Sequence, residues 1–192
     1  MALKILGMLV LSMLFSSLSA AYENTHECVS SDGSSILFEN RPSDVPVRMY
    51  IADKCFYGKQ TEHHITLNVE LKNPNDEGLL FDGYAVFGYY FDSRNDITQS
   101  VDRILKEGIL EESGNRYAQY KIVGPGKLNK AYISVDGKYN AVFECIGTFC
   151  DFSSFVGKDS IIYFFRGRFP EGFDPAVAED VIKDFVRQVF NM

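Results

Sequence analysis

Residues 65–72 read Ile65-Thr66-Leu67-Asn68-Val69-Glu70-Leu71-Lys72. Apolar and polar residues alternate without a break, so in an extended chain the two sets stand on opposite faces. That is a strand with one packed face and one wet face. Working outward, Ile36-Leu37-Phe38 predicts a short strand, and Pro42 and Pro46 bound the next turn. Val47, Met49 and Ile51 then alternate with Arg48 and Tyr50. Downstream, Asn73-Pro74-Asn75-Asp76-Glu77-Gly78 is a turn. Leu79 to Phe91 reads as a long strand with aromatics on both faces, which predicts a central place in the sheet.

The period then changes. Asn95 or Asp96 can cap a helix whose Ile97, Val101, Ile104 and Leu105 fall at helical spacing, with Gly108 near its end. Period-two segments resume at Tyr117–Val123, Lys130–Val135, Tyr139–Ile146 and Ser160–Phe169. Gly124-Pro125-Gly126 and Asp136-Gly137 lie between them as turn signals. The last element is a helix that Asp174 caps and Pro175 opens. Val177, Val181, Ile182, Phe185, Val186, Val189 and Phe190 make its apolar stripe. Glu179, Asp180, Lys183, Asp184 and Arg187 make its wet face. The pattern predicts an α+β fold: a curved antiparallel sheet of about six to eight strands, one helix inserted mid-chain and a C-terminal amphipathic helix packed on the sheet. A transmembrane barrel is excluded by these helices, although aromatics reach 14%.

The chain opens with Lys4, an apolar run from Ile5 to Phe15 and small residues ending Ser19-Ala20-Ala21. This is the layout of a secretory signal peptide, with cleavage expected near Ala21. Residues 1–21 are then the signal and 22–192 a single α+β domain. The apolar run is shorter than the roughly 20 residues of a membrane span, so no stable membrane insertion is expected. The expected place is secreted or periplasmic, in solution.

Four cysteines, Cys28, Cys55, Cys145 and Cys150, fit that oxidising compartment as two disulfides. Three pairings are open, and Cys28–Cys55 with Cys145–Cys150 is preferred because the second pair is close in sequence. An extended run of five residues spans about 17 Å, far beyond disulfide reach, so the chain must turn between Cys145 and Cys150. The loop-entropy relation gives about 2 kcal/mol for the short bridge and about 3.5 kcal/mol for the long one. A zinc site is disfavoured by the spacing, and no metal or cofactor is expected.

The net charge is −7, and losing Lys4 with the signal takes it to −8. Such an acidic chain excludes ordinary nucleic-acid binding and favours a cationic partner. Catalytic patterns are missing. His26 falls in a polar, turn-rich arm, and the adjacent His63 and His64 point to opposite faces of a strand, so they cannot share a metal. There is no Gly-x-Ser-x-Gly elbow. The carboxylate pairs Asp92/Asp96 and Glu111/Glu112 sit in polar settings that do not split their acidities.

Two features point to a binding surface. Arg166 and Arg168 share one face of a strand with Phe164, while Phe165 and Phe169 take the other. The tied segment Cys145-Ile146-Gly147-Thr148-Phe149-Cys150 presents Thr148 and Phe149, and Asp151 and Phe152 follow. A stiff loop with an aromatic loses little entropy on docking. Its Cys-x4-Cys spacing between strands resembles the loop of the Ivy-type periplasmic lysozyme inhibitors. The likeness covers those six residues, and the histidine those inhibitors carry inside the loop is absent. The leading expectation is a secreted or periplasmic protein that neutralises another protein, as an immunity protein or enzyme inhibitor does. The rivals are a carrier whose 16 Phe and 11 Tyr line a pocket for a small apolar ligand or lipid, and an enzyme with a dispersed site.

Overall fold

The structure is a computed structural model, and it describes residues 26–38, 47–61, 64–88, 93–124, 127–135, 141–156 and 161–192. The signal segment, the Pro42–Pro46 turn, His63 and Asp92 lie outside the described residues. So do the far end of the Leu79–Phe91 strand, Pro125-Gly126 and the Asp136-Gly137 turn.

Strands β1 (Ile36–Phe38) and β2 (Val47–Met49) pair antiparallel as a small separate sheet. The main sheet has eight strands. They are β3 (His64–Lys72), β4 (Leu79–Gly88), β5 (Ile109–Ser113), β6 (Tyr117–Gly124), β7 (Lys127–Ser134), β8 (Ala141–Ile146), β9 (Phe149–Val156) and β10 (Ile161–Arg168). Helix α1 (Ser93–Glu107) lies between β4 and β5, and α2 (Pro175–Phe190) ends the chain. The spatial order is β3-β4-β10-β9-β8-β7-β6-β5, antiparallel throughout and not closed. After β4 the chain crosses by way of α1 to the far edge. It then returns strand by strand until β10 pairs with β4. This is the expected α+β architecture, a curved antiparallel sheet with a helix inserted mid-chain and a C-terminal helix on the sheet.

The alternation in residues 65–72 sets the layers. Ile65, Leu67, Val69 and Leu71 are all buried on the face that α2 covers. Phe81, Phe87, Phe143, Phe152, Tyr163 and Phe165 join them beneath Ile182, Phe185, Val186 and Val189 of α2. The aromatic rings of this core touch one another, for example Phe143 against Phe152 at 4.2 Å and Phe81 against Phe169 at 5.0 Å. On the opposite face α1 packs Ile97, Val101 and Ile104 onto Ile122, Ala131, Ile133 and Val142 of β6, β7 and β8. The Arg103–Glu144 ion pair fastens it there.

Asp174 caps α2 as expected, its Oδ1 accepting the Ala176 amide at 2.8 Å behind Pro175. Several expectations are corrected. Helix α1 starts at Ser93, so Asn95 and Asp96 lie inside it rather than capping it. Leu105 is exposed, one position off the stripe that Ile97, Val101 and Ile104 make. Strand β4 is second from an edge rather than central; its Phe81 and Phe87 fill the core while Tyr84 faces out. Strands β5 and β9 were not foreseen. All five residues of β5 are exposed on the sheet's far edge, so no alternation marks it.

Glu179, expected on the wet face of α2, is only 4% exposed. Arg116, in the β5–β6 turn, donates to its Oε2 at 2.7 Å, and Lys183 Nζ lies 2.6 Å from Oε1. Arg116 also donates to Asp180 at 2.7 and 2.9 Å. A carboxylate is tolerated at this depth because two cations converge on it. Hydrogen bonding from Arg116 holds the Asp180 carboxyl below its ordinary range. Burial, and then the Glu179 charge, raise the neighbouring Tyr117 hydroxyl above its own.

Candidate functional site

The β8–β9 hairpin is built from its cysteines outward. Cys145 faces Cys150 directly across the antiparallel pair, with Cα atoms 4.1 Å apart, and the two are bridged. Both are buried on the α2 face. The next pair out is Ile146 opposite Phe149, leaving Gly147-Thr148 as a two-residue turn. Gly147 takes φ +62° at the first central position, where a tight hairpin of this hand favours glycine. The period of two then turns Ile146 and Phe149 to the open face, 51% and 46% exposed. The Thr148 carbonyl accepts the Phe169 amide at 2.8 Å, which docks the tip against the end of β10. The second disulfide joins Cys28 to Cys55.

Register carries this tip across the sheet. Phe149 lies opposite Arg168, Arg168 opposite Asp82, and Asp82 opposite Glu70. One row therefore runs Ile146, Phe149, Arg168, Asp82, Glu70 over five adjacent strands, about 19 Å at the usual strand spacing. The row behind it is Glu144, Asp151, Arg166, Tyr84, Asn68. Tyr84 meets Tyr57 at 4.6 Å between ring centroids, with Tyr57 54% and Tyr84 37% exposed. Among the described residues α1 meets these rows at Glu144, through the Arg103 ion pair, and its apolar stripe sits over β6–β8.

The residues chosen from sequence are thus mostly brought together. Phe149, Asp151, Arg166 and Arg168 share the open face, with Thr148 at the turn beside them. Phe152 is corrected: it is fully buried, because two residues beyond Cys150 the strand period returns it to the α2 face. Arg166 is already engaged. Its Nε and Nη2 donate to the two oxygens of Asp151 at 2.7 and 2.8 Å, and that bond raises its pKa. Among the described residues Arg168 makes no ion pair. Ile146, Tyr84 and Tyr57 were missed by sequence reasoning. Recognising β9 as a strand would have exposed Ile146 as the cross-strand partner of Phe149.

The polar groups are held in structural roles. His64 Nε2 is 3.1 Å from the Thr66 hydroxyl. His26 does not lie in a loose arm: its Nε2–H donates to the Glu70 carbonyl at 2.7 Å, and Nδ1 accepts the Cys28 amide at 3.1 Å. Glu111 accepts from Gln119 on the exposed edge at 2.7 Å. Among the described residues no three His, Cys, Asp or Glu side chains gather as a metal site. No helix among them is long and apolar enough to cross a membrane. The two disulfides fit an oxidising compartment. No protein-family model, no curated protein and no solved structure matches the chain.

Proposed function

We propose that this chain is a secreted or periplasmic binding protein that neutralises another protein, and that the β8–β9 hairpin is the part it inserts. The supporting observation is the pairing of a cross-strand disulfide with a two-residue turn under an exposed Ile146–Phe149 pair. Most apolar side chains of this exposure sit singly on a surface and need no explanation. Here two stand side by side on a tip that a covalent bridge holds in one shape. Ordering cost on binding is then small, and a central apolar anchor is where binding energy concentrates.

The test begins with co-purification of a protein from the secreted or periplasmic fraction of the producing cell, using tagged residues 22–192. Affinity is then measured for the parent, Phe149→Ala and the Cys145→Ala/Cys150→Ala pair. Phe149→Ala is expected to weaken binding at least about tenfold, the effect of losing one anchor. Unchanged affinity in both variants refutes the hairpin assignment. A retained small apolar molecule in native mass spectrometry, with no protein partner, turns the reading toward a carrier.

A further inference from the structure

The outward face of β9, β10, β4 and β3 is a shelf four strands wide. Among the described residues neither helix packs on it. It ends at β8, under α1, on one side and at the β3 edge on the other, so the seam between β10 and β4 is its midline. Across that seam Arg168 stands opposite Asp82, Arg166 opposite Tyr84, and Phe164 opposite Val86. Arg168, Asp82, Arg166 and Tyr84 are all exposed. Among the described residues neither Arg168 nor Asp82 makes an ion pair. One charge of each sign is thus left unneutralised on the two sides of the midline.

A surface that binds its own copy about a two-fold axis must carry complementary groups at equal distances on either side of that axis. An axis along the β10–β4 seam lays each β10 residue over its β4 counterpart in the second copy, and each β9 residue over its β3 counterpart. Arg168 then meets Asp82 of the second copy, and the pair occurs twice. Arg166 meets Tyr84 twice. Asp151 holds Arg166 through Nε and Nη2, along the edge of the guanidinium, which leaves its flat face to lie on an aromatic ring. Tyr57, against Tyr84, widens that ring surface. From the outer strands Asp151 meets Asn68 and Ser153 meets Thr66, and both pairs can hydrogen bond. Phe149 falls over Glu70 and meets only its aliphatic stem, the one poor match. An axis running across the strands would instead set Arg168 over itself or over Arg166, where like charges oppose it.

We infer that this shelf is a self-association surface whose occupant is a second copy of the chain, docked face to face about the β10–β4 seam. Two sheets packed in this way keep their strands nearly aligned and about 10 Å apart, the spacing at which side chains of both faces meet. Four strands and three rows make a patch of about 19 by 20 Å. Counted over both copies and with its relief, that is roughly 1,000 Å², the lower limit of a specific interface, so the dimer is reversible and of micromolar strength. The inference goes beyond the neutralising function and does not depend on it. The two share a face, however: a dimer of this kind covers Phe149, so self-association and docking of another protein exclude one another.

Sedimentation velocity on the full chain, purified with both disulfides formed, tests this from about 1 to 500 μM, where a monomer–dimer equilibrium is expected. Arg168→Asp and Asp82→Arg are each expected to weaken association at least about tenfold, because each sets two like-charged pairs across the axis. The two changes together restore opposite charges there and are expected to recover the parent constant to within about threefold. Both positions are exposed, and circular dichroism spectra check that each variant is folded. A chain that stays monomeric at the highest concentration overturns the inference and leaves the hairpin reading standing. A dimer indifferent to both single reversals, or not recovered by the swap, also overturns it. So does a dimer broken instead by Val123→Lys, a change at an exposed position on β6, since association then belongs to another surface. The hairpin reading is tested apart from this, by affinity for a co-purified protein at concentrations below the dimer's range.

Discussion

Replacing Gly83 by alanine tests the close backbone approach between β4 and β10. Gly83 lies opposite Gly167 where β4 meets β10. A Cβ on Gly83 would stand 2.3 Å from the Arg166 carbonyl oxygen and 2.6 Å from the Gly167 Cα. A Cβ on Gly167 would stand 2.3 Å from the Asp82 carbonyl. An ordinary non-bonded contact is about 3.5 Å, so the shortfall is about 1 Å, and the obstacle is backbone that cannot rotate away. The strands must part at the next-to-last pair of a seven-pair ladder, beside the buried Phe81 and Phe165. Overpacking a core costs about 1–3 kcal/mol, and a collision with backbone belongs at the upper end, about 3 kcal/mol. For a domain of this size that lowers the melting temperature by about 6–12 °C. Far-UV circular dichroism melts of Gly83→Ala, Gly167→Ala and the double variant measure it. Ser153→Ala, on the open face of the same sheet, is the control and is expected within about 0.5 kcal/mol of the parent. The double variant is expected to cost clearly less than the two singles together, since the strands need to part only once. A Gly83→Ala protein melting within about 2 °C of the parent would refute the reasoning, because no close contact could then have been relieved so cheaply.

Two further substitutions probe the clamps on either side of the sheet. Arg116→Ala leaves buried Glu179 with Lys183 alone, and because the Arg116 side chain is itself 44% exposed the expected loss is about 1–2 kcal/mol by urea unfolding. Part of that loss is pH-dependent with a definite sign. The Asp180 carboxyl is held below its ordinary range chiefly by hydrogen bonding from Arg116, so its stabilisation is present above pH about 4 and vanishes as pH falls through the lowered value. The gap between parent and variant should therefore narrow in acid, and a gap that widens there would contradict the assignment. Cys145→Ala/Cys150→Ala is expected to cost about 2 kcal/mol from loop entropy alone and to speed amide exchange in β8 and β9 before the rest of the sheet. Uniform exchange across all strands would show that the bridge does not act locally.

Much of the frame is legible because burial writes a period into the chain. Ile65 to Lys72 alternate because β3 has one face under α2, and the Asp174-Pro175 start is legible because a capping carboxylate and a proline suit the first turn of a helix. What escaped lacked such a signal. Strand β5 is exposed at every position, so Ile109-Leu110-Glu111-Glu112 reads as loop. Strand β9 buries Ser154 among its apolar residues, and Ser153-Ser154 looks like a turn. Glu179 looked solvated because its two cations include Arg116, 63 residues away, and no local pattern announces a distant partner. For the same reason the sequence placed Phe149 and Arg168 in separate features, while strand register sets them side by side.

The topology explains why neither helix covers this part of the sheet. Helix α1 follows β4 but must deliver the chain to β5 at the opposite edge, seven strands from β3. Its apolar stripe is short: Ile97, Val101 and Ile104 cover β6, β7 and β8 and reach no further. The other helix is committed to the opposite face. Among the described residues neither helix packs on the outward face of β9, β10, β4 and β3. Asp151, Arg166 and Asn68 suit contact with water there. Ile146, Phe149 and Tyr84 do not suit it and lie on two adjacent rows, with Tyr57 against Tyr84, while Val123, Ile109, Leu110, Leu37 and Leu79 are exposed elsewhere. A surface meant only for water has no need to hold a phenylalanine on a disulfide-bridged tip. Charge along the front row runs from apolar Ile146 and Phe149 through Arg168 to Asp82 and Glu70, so under the proposed function a partner docked on this row would present apolar, anionic and cationic groups in that order. Reversal of Arg168 to glutamate should then weaken binding more than its removal to alanine, because it sets like charge against the middle of that order.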